Sequence, residues 1–161
     1  MKIKIFLFLA IISSSIYAQY NNALGVQWAM TGYGLGFKTY IEPNKFLEFE
    51  VLGKYEELNK GAYLTAYYGL HNAIRNPILK MPNLSWFLNF GAHAGHYTDW
   101  GRFFETNTML GVSTKLGLET VVREQAAIGA FVRPHYSFVH TGTRNEFDYF
   151  DFGIYLRFVL N

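Results

Sequence analysis

Two residues near the end of the chain, His135 and Ser137, form the only local feature of the sequence that suggests enzyme chemistry. A serine hydroxyl becomes a nucleophile when a neighbouring base takes its proton, and imidazole is a common base. The alternative interpretation is structural, with both side chains sharing hydrogen bonds inside the fold. The direction in which the two side chains point decides between these hypotheses.

The five histidines also raise the question of a metal site, with His93 and His96 joined by His135 or His140. Residues three apart on a strand point to opposite faces, so His93 and His96 diverge while the chain stays in a sheet. We therefore predict neither a metal site nor a cofactor. The chain contains no cysteine, which excludes disulfides, thiolate metal sites and lipoprotein processing at an N-terminal cysteine.

The N-terminus has the organisation of a secretory signal. Lys2 and Lys4 precede an apolar run over residues 5–12, and small residues then lead to a cleavage site that is defined only to within a few residues. The apolar run is shorter than the roughly 20 residues of a membrane-spanning helix. We predict a signal peptide over residues 1–18 and a single domain over residues 19–161.

The composition of the remaining chain is apolar and balanced in charge. Half of all residues are hydrophobic, 19% are aromatic and 16% are charged, against about 25% charged in a typical soluble domain. Two of the 14 basic residues lie in the predicted signal, which leaves as many basic residues as the 12 acidic ones. We find no basic block or stripe and predict no nucleic-acid partner.

The elements that must position His135 and Ser137 are strands, because apolar residues alternate with small or charged ones along most of the chain. A transmembrane strand needs this period of two, since one face meets lipid and the other faces the lumen. Strands can span lipid only as a closed sheet. The pattern predicts an all-β protein, a closed antiparallel transmembrane β-barrel with an up-and-down meander of about eight strands. The alternating runs cover residues 20–30, 33–41, 45–55, 62–71, 86–97, 110–119, 128–138 and 150–158.

The face assigned to the lumen is small and charged. Eight strands leave an interior that side chains just fill, and both signs of charge are present to neutralise one another. We predict a polar plug, not an open channel. The alternation also places His135 and Ser137 on the lumen face, unless a bulge near Pro134 reverses it. The predicted lumen charges are Lys38, Lys54, Lys115, Arg133, Arg157, Glu48, Glu50, Glu119 and Asp151.

The predicted connections differ in character between the two ends of the barrel. Tight turns at 42–44 and 123–125, and a longer connection at 72–85, share an end with the chain termini and are expected in the periplasm. The remaining loops are polar or aromatic, face outward and could contact a protein partner. They cover residues 31–32, 56–61, 98–105 and 140–147.

The last strand reads DFGIYLRF over residues 151–158, which resembles the terminal insertion signal of outer-membrane barrels. The matching positions are Asp151, Gly153, Leu156 and Phe158, and the chain continues for three residues beyond Phe158. The resemblance implies that the barrel-assembly machinery is a partner during insertion.

Three further segments, 34–55, 86–97 and 128–138, resemble the small, largely uncharacterised outer-membrane β-barrel families of Gram-negative bacteria. The resemblance implies export to the cell outer membrane and contact with its lipid and lipopolysaccharide. It implies no reaction, because one fold hosts many functions. A structural or interaction role is therefore the expectation.

His135 and Ser137 are also similar to the His-x-Ser of the outer-membrane lipid A 3-O-deacylases, which are eight-stranded barrels. This resemblance implies Ser137 as nucleophile and His135 as its base. Phe138 stands where that family has an asparagine after the serine. The orienting acid would be Glu146, Asp148 or Asp151.

A soluble periplasmic or secreted β-sandwich or lipocalin-like barrel is the alternative architecture. It would bury the Leu, Phe and Val faces and expose the charged faces. The two architectures therefore make opposite predictions about which face of each strand points inward.

Overall fold

The computed structural model describes residues 20–56, 59–74, 83–99, 105–140 and 151–160. The predicted signal peptide and most of the predicted outward loops lie outside these residues. The described part of the chain holds no helix long and apolar enough to cross a membrane.

Nine strands form the described part of the chain, and all nine belong to one antiparallel sheet. They are β1 (Asn22–Ala29), β2 (Gly32–Glu42), β3 (Lys45–Glu56), β4 (Asn59–Ala73), β5 (Leu84–Asp99), β6 (Glu105–Val122), β7 (Ala126–Arg133), β8 (His135–His140) and β9 (Asp151–Leu160).

The sheet closes on itself as an eight-stranded barrel. Strand β1 pairs with both β2 and β9, and β5 pairs with both β4 and β6, so no edge remains in the ring. Strands β7 and β8 pair with the same neighbour, β6, on either side of Pro134, and are two halves of one barrel strand. The predicted fold class, a closed antiparallel up-and-down barrel of eight strands, is confirmed.

The ladder continues through Pro134 without a change of register. Proline donates no hydrogen bond, but its carbonyl accepts one from the Thr114 amide at 2.9 Å. The register between β6 and β8 stays the same as far as the pair of Gly111 and Ser137. It shifts by one residue at the next pair, so Phe138 is the extra residue of a bulge. The bulge considered near Pro134 thus lies at Phe138 instead, and His135 keeps the inward direction.

The two faces of the strands carry the chemistry that a membrane barrel requires. Large apolar side chains on the outer face are well exposed, for example Leu24 (47%), Ile154 (59%) and Phe158 (63%). The charged residues between them are buried in the lumen. This orientation is the reverse of the one that the soluble alternative needs.

The lumen face also carries large aromatic residues, so the prediction of a small and charged face was incomplete. Phe46, Phe87, Phe131 and Tyr155 form a buried cluster within the ring of strands. Each lies directly opposite a glycine on a neighbouring strand, where a β-carbon would collide with its ring. The pairs are Phe46 with Gly69, Phe87 with Gly117, Phe131 with Gly153, and Tyr155 with Gly129.

Gly129→Ala is expected to destabilise the folded barrel by about 1–3 kcal/mol, the usual range for overpacking. Its β-carbon would overlap the ring of Tyr155, which is held by a hydrogen bond from its hydroxyl to Glu119 (2.6 Å). Urea unfolding of the refolded protein measures the effect. Gly53→Ala is the matched control, since its β-carbon would meet only the Tyr33 carbonyl at 3.6 Å. Equal losses in both variants would contradict the packing argument.

The connections place both ends of the described chain at one end of the barrel. We call this the terminal end; it also holds the tight turns at 43–44 and 123–125. The opposite end is called the loop end. Strand pairing runs further toward the loop end than the sequence indicated, because Glu56 pairs with Asn59 and Asp99 with Glu105. The predicted loops 56–61 and 98–105 are correspondingly shorter. At the terminal end the predicted connection 72–85 is also shorter, because Asn72 pairs with Trp86 and Ala73 with Ser85.

Candidate functional site in the lumen

Inward-facing charges from five barrel strands, β2, β3, β6, β7 and β9, meet inside the barrel. Their side chains are at most 2% exposed, and the described residues supply four cations and four anions. These are Lys38, Lys115, Arg133, Arg157, Glu48, Glu50, Glu119 and Asp151. The side chain of Lys54, which was predicted to join them, lies outside the described residues.

Glu119 is the centre of a cluster near the terminal end. Its carboxylate accepts hydrogen bonds from Lys38 Nζ (3.2 Å), from the Tyr20 hydroxyl (3.0 Å) and from the Tyr155 hydroxyl (2.6 Å). His71 Nε2 lies 3.2 Å from the same carboxylate. Several donors thus replace the water that this buried anion has lost.

Ser85 and His71 form a second serine-histidine pair that sequence reasoning missed. The Ser85 hydroxyl donates to the Glu119 carbonyl (3.0 Å), so it accepts from His71 Nε2, which lies 2.8 Å away. In a catalytic triad the acid binds the other imidazole nitrogen, whereas the Glu119 carboxylate contacts Nε2 as well. The serine proton is already engaged, and the pair is a structural link between strands.

Lys115 links two carboxylates at the middle of the barrel. Its ammonium contacts Glu48 Oε1 at 2.7 Å and also bonds Glu50, while the Gln27 carbonyl accepts from it at 3.2 Å. Arg157 pairs with Glu48 from the opposite side. Strands β1, β3, β6 and β9 are therefore tied together across the lumen.

Arg133 extends this network toward the loop end. It bonds Glu50 (3.2 Å) and Asp151, and it donates to the Tyr63 hydroxyl at 2.7 Å. Asp151 also accepts from the Thr31 hydroxyl at 3.0 Å. A chain of alternating charges consequently runs from Arg157 to Asp151 along the barrel axis.

The chemical result is a filled, neutralised interior. Buried charges are tolerated when they are paired and hydrogen-bonded, and each of the eight has at least one ion-pair partner of opposite sign. Such a lumen is a plug. Among the described residues no group of three His, Cys, Asp or Glu side chains is placed to hold a metal ion.

Ser137 contacts His93 near the loop end. Its Oγ lies 3.0 Å from His93 Nε2, and the ring of His135 stands at 85° to that of His93 with centroids 5.7 Å apart. His93 reaches Ser137 across Gly111, whose missing side chain leaves room for the imidazole. His96 is exposed, whereas His93 is buried.

The acids considered for a triad do not complete one here. Asp151 is bound to Arg133 and Thr31, while Glu146 and Asp148 lie outside the described residues. The pair of Ser137 and His93 faces the lumen and not the lipid-facing side. A lipid substrate would have to enter the barrel to reach it.

The residues of the terminal insertion signal divide between the two faces of β9. Asp151 is buried in its ion pair, and Gly153 leaves space for the ring of Phe131. Leu156 is half-buried and Phe158 is exposed on the outer face. The apolar half of the signal thus lies on the surface of the folded barrel.

Comparison with solved structures supports the same fold. The N-terminal β-barrel domain of Pseudomonas aeruginosa OprF is 12% identical, with a TM-score of 0.67 over 88% of this chain and 98% of that one. Neisserial surface protein A is also 12% identical, with a TM-score of 0.52 over 86% of this chain and 94% of that one. At this identity the likeness shows a small barrel of the outer-membrane type and nothing about activity.

No protein-family model and no curated protein sequence matches the chain.

Proposed function

We propose that the chain is an integral outer-membrane β-barrel protein with a structural or interaction role, exported by a signal peptide over residues 1–18. The observation that carries this proposal is that the polar and apolar faces of the strands are reversed relative to those of a soluble barrel. Large apolar side chains cover the outer surface, and eight charged side chains of the described strands are turned inward. An apolar surface that surrounds a protein is stable in lipid and prone to aggregation in water.

The filled lumen argues against a transport role. Side chains of Lys115, Arg133, Arg157 and their carboxylate partners lie on the barrel axis and are at most 2% exposed. Eight strands leave no room for a channel beside them. What remains for function is the outer apolar band and the two ends of the barrel.

The partners proposed for these surfaces follow from their chemistry. Outer-membrane lipid and lipopolysaccharide surround the apolar band, and the barrel-assembly machinery reads the segment 151–158 during insertion. The loop end is the place for a protein partner. No nucleic-acid partner is proposed, because the lumen cations Lys115, Arg133 and Arg157 are paired with carboxylates inside the barrel.

Cell fractionation tests the proposal directly. We expect the mature protein in the outer-membrane fraction and a faster-migrating band in unheated detergent gels, because a closed hydrogen-bonded barrel resists detergent until it is heated. The same sample after boiling is the control, and the difference in migration between the two lanes reports the folded state. Recovery of the protein in the soluble periplasmic fraction would overturn the membrane assignment.

Lipid A deacylation is the competing activity, because Ser137 contacts an imidazole. We expect overproduction of the protein to leave the acyl chains of lipid A unchanged, and Ser137→Ala to have the same lipid A profile. The physical reason is that this serine faces the enclosed lumen. Mass spectra that show a missing acyl chain, restored by Ser137→Ala, would establish the enzyme instead.

A further inference from the structure

An apolar groove, which we call the outer groove, lies on the outer face of the barrel. Its volume is about 590 Å³, inside the range of about 300–1,000 Å³ that is usual for sites that hold small molecules. Glu50 and His93 line it but turn their side chains into the lumen, so the described lining presents no charged group to an occupant. The apolar side chains of the lining include Leu35, Phe49, Leu64, Ala92, Ala94 and Leu110.

The floor of the outer groove is low because alanines of two neighbouring strands lie side by side. Ala66 of β4 pairs with Ala92 of β5, and Ala94 follows two residues later on the same face. Larger side chains stand on both sides of Ala94, since it pairs with Leu64 (60% exposed) and with Leu110 (41% exposed). All three alanines are exposed, so an occupant that enters the groove reaches its floor.

A polar pair adjoins the outer groove on the side of the loop end. His96 follows Ala94 by two residues on the same face and pairs with Thr108 of β6. The Thr108 hydroxyl lies 3.5 Å from His96 Nδ1, and both side chains are exposed. Imidazole and hydroxyl groups can donate hydrogen bonds to an anionic oxygen. An apolar floor therefore adjoins a polar end, which is the arrangement that the acyl chain and the headgroup of a lipid require.

We propose that the outer groove binds one lipid A moiety of lipopolysaccharide, with an acyl chain over Ala92 and Ala94 and a phosphate at His96 and Thr108. This inference rests on the membrane location proposed above and names the surface at which the lipid partner binds. The groove is continuous with the apolar band of the barrel, so its occupant comes from the membrane. Its polar end lies toward the loop end, which faces outward in the expected orientation and meets the leaflet that contains lipopolysaccharide.

The test uses the refolded protein in detergent micelles and native mass spectrometry, with lipid A as the probe. We expect a complex of one lipid A with one barrel. Ala92→Leu with Ala94→Leu fills the floor of the outer groove and should weaken binding by about tenfold or more, because the acyl chain loses its apolar contact there. Ala130→Leu is the matched control, since Ala130 is exposed on the outer face of β7 outside the groove. It should bind lipid A as the unchanged protein does.

The polar end is tested by His96→Ala. This variant should weaken the binding of lipid A by about tenfold, the effect of one lost hydrogen bond to an ion, and should not change the binding of lipid A from which the phosphates have been removed. Equal affinities for lipid A and phosphatidylglycerol would overturn the proposal, as would a protein dimer that the double variant disrupts. Equal binding by Ala130→Leu and the double variant would do the same.

The outcome for the outer groove is separable from the outcome for the membrane location. Unheated detergent gels of each variant show whether the barrel is folded, and cell fractionation shows where it resides. A folded barrel that is recovered in outer membranes but binds no lipid A would refute the lipid A site and leave the membrane location intact.

Discussion

Arg133→Ala is expected to lower the free energy of unfolding by about 3–5 kcal/mol, the range for removing one partner of a buried ion pair. Asp151 would lose its cation and keep only its contacts with Thr31. Glu50 would retain Lys115. The stranded Asp151 carboxylate is therefore the main cause of the loss, and equilibrium urea unfolding of protein refolded into lipid vesicles measures it.

A second substitution separates charge from packing. In Arg133→Met with Asp151→Asn both charges are removed, and most of the lost stability should return, because replacing a buried pair by neutral groups is often close to neutral. Arg123→Ala is the matched control, since Arg123 is exposed in the 123–125 turn. The network argument fails if Arg123→Ala and Arg133→Ala are equally stable, or if the double variant is as unstable as Arg133→Ala.

Replacing Leu156 and Phe158 together by alanine is expected to remove most of the assembled protein from cells while the precursor still crosses the inner membrane. Phe158 is 63% exposed on the outer face, so its loss changes little inside the folded barrel. The expected defect therefore arises during recognition and insertion. Quantifying heat-modifiable protein in outer membranes measures it.

The matched control lies on the same strand and the same face. Phe152→Ala with Ile154→Ala removes two side chains that are 54% and 59% exposed but occupy unspecified positions of the insertion pattern. This control should assemble nearly normally. Both doubles should also refold in vesicles with similar urea midpoints. Equal assembly of the two double variants in cells would remove the segment 151–158 from the proposal. A lower urea midpoint in the Leu156 and Phe158 variant alone would explain its defect without recognition.

The alternation of side chains could be read directly from the sequence. Period two is a local property of a strand, so the lumen direction of residues such as Lys38, Glu119 and Arg157 required no knowledge of neighbouring strands. The eight-stranded closure followed as well, because lipid leaves no other way to satisfy strand hydrogen bonds. The strand ends were less accessible, since polar residues such as Asn59 read as loop and yet continue the ladder.

Contacts between strands were decided only by the tertiary structure. His93 meets Ser137 across Gly111, and Ser85 meets His71 and Glu119. Each contact depends on the register between strands, which reflects the lengths of the connections and the closure of the whole ring. A local pattern carries no record of that register.

The sequence by itself thus determined that eight of the predicted charges enter the lumen and that charges of both signs meet there. The structure decided that Lys115 joins Glu48 to Glu50, that Arg133 joins Glu50 to Asp151, and that large aromatic rings fit against glycines. The physical reason is that alternation is set within one strand, whereas pairing across a closed barrel is set by all eight together.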